Sequence, residues 1–97
     1  MTTHVDWTSV KPEDVNRAVK EYDAVGDTEF FARHGFAPTT TYDLIVNDKA
    51  YPPKAILGAA FEFATGRRLA SADFEGGRSG AVKILTSLGF DVRERNR

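Results

Sequence analysis

Residues 41–66, TYDLIVNDKAYPPKAILGAAFEFATG, change their hydrophobic period in mid-course, and that change decides the fold. In the first half Tyr42, Leu44 and Val46 alternate with Asp43, Ile45 and Asn47, the period-2 pattern of a strand with one buried face. Asn47-Asp48 carries turn chemistry, so the spacing predicts a β-hairpin with strands near 41–46 and 49–51. Pro52-Pro53 ends the second strand, because proline donates no ladder hydrogen bond, and it suits the first turn of a helix. From about 53 to 65 the period turns helical: Ile56, Ala59, Ala60 and Phe63 share a face, Leu57 and Phe61 widen it, and Gly66 ends it. A helix with so broad an apolar surface is predicted to be central and largely buried.

N-terminal to this stretch, Pro12-Glu13-Asp14 signals a helix start, with acids at the positive end of the dipole. Val15, Ala18, Val19 and Tyr22 form its apolar stripe, and Gly26 stops it. A second short helix follows, capped by Asp27, with Phe30 and Phe31 inward and Gly35 at its end. Trp7 reads as an anchor for the N-terminal segment.

On the C-terminal side, RRLASADFEGGRS is a connector with one short turn near Ser71–Phe74. A last helix is expected over about 79–88, with Val82, Leu85 and Leu88 inward and Gly89 closing it. FDVRE alternates and is expected to join the hairpin as a third strand, with the RERNR tail fraying. The order ααββααβ predicts an α+β fold: about four helices on one face of a small three-stranded antiparallel sheet. The 97 residues make one domain, with its core over about 10–93.

Composition narrows the function. The chain has no cysteine, which excludes disulfides, thiolate zinc sites and a cysteine nucleophile, and fits a reducing, cytoplasmic setting. MTTHVDWTSV has neither the basic nor the apolar region of a signal peptide, and no apolar run approaches a membrane span. Net charge is only −1, yet residues 1–48 carry four basic and nine acidic side chains, and residues 49–97 carry nine and five. Such a split either marks one basic face or disappears when the halves intermix.

Two places can carry chemistry. In FEGGRSG (74–80), Gly76-Gly77 can adopt positive φ and offer successive amides as a nest at the last helix. Arg78 adds a planar cation, Ser79 a hydroxyl, and Lys83 a second cation one turn on. The same residues also suit a tight turn with an N-cap from Ser79, and P-loop spacing is absent. In AYPPKAILGAA (50–60), Lys54 occupies a first helical turn, where the dipole disfavours a cation unless an anionic partner is present. Tyr51 either stacks on a base or packs at the core rim. Arg67 and Arg68 complement the C-terminal dipole of that helix.

Enzyme signatures are thin. His4 and His34 are the only histidines, and His34 fits a cap at a helix end. No metal-ligand cluster or cofactor motif is present. Asp73 and Glu75 flank Phe74 and read as exposed acids.

The segments AVKEYDAVGDTEFFARHGF, YDLIVNDKAYPPKAILGAA and LASADFEGGRSGAVKILTSLGFDV together resemble the N-terminal head domain of the ScoMcrA-type restriction endonucleases, over roughly residues 10–93. The most specific parts are YPPKAILGAA (51–60) and FEGG (74–77). The resemblance implies a bacterial system that restricts modified DNA. Nuclease activity there belongs to a separate HNH domain, for which this chain has no room. It therefore implies a non-catalytic module with DNA, modified DNA included, as partner, and an HNH nuclease or another restriction subunit as a second. The phosphate contacts expected are Lys54, Arg78, Ser79, Lys83 and the Gly76 and Gly77 amides, flanked by Tyr51, Arg67 and Arg68. The alternative is a module that docks onto a nuclease or onto a second copy of itself, prompted by seven Phe, three Tyr and one Trp in so short a chain.

Overall fold

The computed structural model describes residues 5–38 and 41–94, so His4 and the last three residues of the tail lie outside the described residues. The hairpin forms as its pattern dictates. Strand β1 (Tyr42–Val46) pairs antiparallel with β2 (Lys49–Tyr51), Val46 opposite Lys49. Asn47 and Asp48 between them both have positive φ, 52° and 66°, as a two-residue type I′ hairpin turn requires. Strand β3 (Asp91–Glu94) pairs antiparallel with the other side of β1, giving the order β2-β1-β3. Leu44 of the central strand lies opposite both Tyr51 and Val92 and is fully buried.

Four helices complete the α+β architecture: α1 (Pro12–Val25), α2 (Asp27–His34), α3 (Pro53–Thr65) and α4 (Ala81–Ser87). One turn of 3-10 helix, Ser71–Asp73, sits in the connector before α4. Helix α3 is the hub: it touches α1, α2, α4 and β1, and every residue from Ala55 to Phe61 is buried. In the middle of that buried run is Gly58, over which the ring of Phe36 lies so closely that any Cβ there would overlap Phe36 Cζ. Trp7 ties the N-terminal segment to the same core through edge-on contacts with Phe61 (5.5 Å) and Phe74 (5.1 Å).

Three local expectations change. Asp27 is the first residue of α2, not its cap; Gly26 holds the cap position, and the Asp27 carboxylate accepts from the Thr28 amide at 2.7 Å. Ser79 does not cap α4, which starts two residues later with Gly80 at its cap. The reason is a knot of backbone bonds: the Ala81 amide donates to the Glu75 carbonyl (2.8 Å), and the Gly80 and Val82 amides donate to the Gly77 carbonyl (3.0 and 3.1 Å).

His34 is the third. It does not cap its helix but turns inward and is buried. Its Nε2 lies 2.9 Å from Glu21 of α1 and its Nδ1 3.3 Å from Glu62 of α3, so one ring links three helices. A neutral imidazole can donate to one of these carboxylates, an imidazolium to both.

Candidate nucleic-acid interface

The structure divides the nine expected contact residues among separate places. Lys54, Gly76 and Gly77 come together. They line a cavity of about 440 Å³ with Thr41, Tyr42 and Pro53. Tyr42 opens β1 and Thr41 precedes it, α3 supplies Pro53 and Lys54, and the connector supplies the two glycines. The hairpin and Pro52-Pro53 bring the first two sets side by side, because the chain leaves β2 directly into α3.

Among the described residues Lys54 is the single charged residue of this lining. Its stem lies against Gly76, and its ammonium stands 5.2 Å from the centroid of the Phe74 ring. No carboxylate pairs with it among the described residues. Tyr42 was read from sequence only as a strand residue. It is half-buried, and among the described residues its ring pairs with no other ring and its hydroxyl makes no side-chain hydrogen bond. The signal for it was its place at the first position of β1, on the core side by parity with Leu44 but beyond the body of the core.

The phosphate nest expected of Gly76-Gly77 does not form. Among the described residues the glycines with positive φ are Gly26, Gly35, Gly66 and Gly89. The amides opening α4 are taken by the chain's own carbonyls, as described above. The Ser79 hydroxyl donates to the Glu75 carboxylate, and Arg78, with its side chain 80% exposed, lies 3.8 Å from Glu94. The segment is thus a self-satisfied turn, and two acids stand where a cradled phosphate would meet repulsion.

Tyr51 is buried, and its hydroxyl donates to both oxygens of Asp23 at 2.8 and 3.0 Å. Burial, and then the Asp23 carboxylate, push its phenol up to about 12. Its ring is therefore no stacking platform, and it leaves the contact set. Arg67 and Arg68 are exposed just beyond the far end of α3, whose run from Lys54 to Thr65 is about 16 Å at 1.5 Å per residue. They line a second cavity, of about 290 Å³, with Asp6 and Asp73 among its walls. Lys83 is exposed on α4. Asp73 is used locally, accepting from the Ala70 amide at 2.8 Å.

These features define a small α+β module with a recess, built by a hairpin, a buried helix and a glycine pair, whose lining among the described residues holds a cation and no acid. The profile of the ScoMcrA-like N-terminal head domains matches residues 8–94, and the chain belongs to that family. Membership is consistent with a module of a restriction system. No curated protein and no solved structure matches the chain. Among the described residues no helix is long and apolar enough to cross a membrane, and no group of three or more His, Cys, Asp or Glu converges as metal ligands would.

Proposed function

We propose that this chain is a non-catalytic, DNA-contacting module of a restriction system. Lys54 at the rim of the 440 Å³ recess meets a phosphate, with the exposed Arg78 and Lys83, which do not line the recess, as further contacts. The carrying observation is Lys54 itself: a half-buried cation held over a ring, with neither a carboxylate partner nor an acid in the recess lining among the described residues. Arg67 and Arg68 act as a separate contact, since they follow the opposite end of α3 and about 16 Å of helix corresponds to about five base pairs of duplex. The family setting supports DNA as the anion. A non-catalytic role is supported by His34, whose two ring nitrogens are occupied by Glu21 and Glu62 inside the helix layer.

A second reading, docking onto a nuclease or a second copy, is favoured by a different groove. Val5, Trp7, Ile84 and Leu88 line an apolar hollow of about 400 Å³ between the N-terminal segment and α4.

The experiment is titration of labelled duplexes, unmodified, phosphorothioated and cytosine-methylated, at low and near-physiological salt, with Lys54→Ala and Arg78→Ala alongside. Salt-sensitive binding that weakens in Lys54→Ala supports the DNA reading. Absence of binding at low salt with folded protein overturns it and turns attention to the apolar groove.

A further inference from the structure

Resting on the DNA reading, we propose that the recess beside Lys54 is a site for a single unpaired nucleobase, stacked on Tyr42, with its phosphate on Lys54. Its volume, about 440 Å³, falls in the range of about 300–1,000 Å³ typical of small-ligand sites. A recess of that size admits one base and not a duplex, so the base must leave the helical stack to enter.

The lining matches a planar, polar-edged ring joined to an anion. Tyr42 offers an aromatic surface that no ring of the described fold covers. The two other tyrosines are both spent: Tyr22 and Tyr51 pack edge-on against each other at 5.3 Å. Pro53 gives a second apolar wall, and Gly76 and Gly77 present peptide groups without side chains, which lets a base edge approach the backbone. Among the described residues of the lining Lys54 supplies the only charge, and it is positive. Base–aromatic stacking tolerates any sequence, because every base has a π-face. The site thus selects for unpairing, not for a particular base.

The test compares a fully paired duplex with the same duplex carrying one unpaired base, using 2-aminopurine at that position as a stacking reporter. The wild-type chain is expected to prefer the bulged duplex and to quench the reporter. Tyr42→Ala is expected to lose that preference by about 5- to 100-fold, the range of one stacking contact, while paired-duplex affinity stays the same. Tyr42→Phe should keep both preference and quenching. Equal affinity for the two duplexes without quenching overturns the base site and leaves the DNA reading standing. Loss of both affinities alike in Tyr42→Ala, or of the preference in Tyr42→Phe, also overturns it. Binding to neither duplex overturns the site and the DNA reading together.

Discussion

Lys54 lies along Gly76: a Cβ added at Gly76 would stand 3.3 Å from Lys54 Cδ and 3.4 Å from Lys54 Cβ. The missing side chain therefore sets where the ammonium can be. Gly76→Val would push the lysine stem off this surface while leaving the charge in the molecule. Duplex affinity is expected to fall several-fold, with the thermal midpoint changed by less than the few degrees that about 1 kcal/mol produces. Electrophoretic shift and a melting curve on one preparation check both parts. Unchanged affinity would show that the placement of Lys54 is irrelevant.

The FEGGRSG turn predicts a contrast between two glycines. A Cβ at Gly80 would collide with the Glu75 carbonyl, a backbone atom that also holds the Ala81 amide. A Cβ at Gly77 meets nothing within 4 Å. Gly80→Ala is expected to destabilise the fold by about 1–3 kcal/mol, the cost of forced overpacking, and Gly77→Ala by less than about 0.5 kcal/mol. Urea unfolding of both variants is the check, and equal midpoints would refute the packing argument.

Tyr51 makes stability sensitive to alkali. Its folded pKa, about 12, lies above the ordinary 10, so the folded chain holds the phenolic proton more tightly than the unfolded chain does. The associated stability is complete below pH 10 and is lost as pH rises towards 12. Melting curves across that window should decline more steeply for the wild type than for Tyr51→Phe. Parallel declines would contradict the burial of this hydroxyl on Asp23.

The Glu21–His34–Glu62 link joins α1, α2 and α3 at buried and half-buried positions. His34→Leu keeps much of the packing on Phe30, 4.6 Å away, but removes the partner of Glu62 and of one oxygen of Glu21, whose other oxygen keeps Arg33 at 3.2 Å. A loss of about 1–3 kcal/mol is expected. Glu29→Gln, which breaks only the exposed pair with Arg33, should cost about 0.5 kcal/mol or less. Chemical denaturation ranks the two, and the reverse order would contradict the assignment.

Most of the fold was legible because local and tertiary signals agree. The change of period at Pro52-Pro53, the Asn47-Asp48 turn and the apolar width of α3 each have one physical solution. The site was less legible. FEGGRSG suits a phosphate nest and a closed turn equally, and the choice fell to Glu75, whose carbonyl and carboxylate absorb the Ala81 amide and the Ser79 hydroxyl. Tyr51 and Tyr42 lie nine positions apart in one hairpin, yet one is buried and the other lines the recess. That outcome depends on where the start of α3 packs against the sheet, which no period reveals. The inward turn of His34 was hidden for the same reason, since both of its partners are distant in sequence.

The most direct test of the central claim is the salt dependence of duplex binding, as the slope of log affinity against log salt, for the wild type and Lys54→Ala. If Lys54 neutralises a phosphate, the variant's slope is shallower by about 0.9. Two slopes of equal steepness would mean that Lys54 meets no phosphate, and the recess would lose its assignment to DNA.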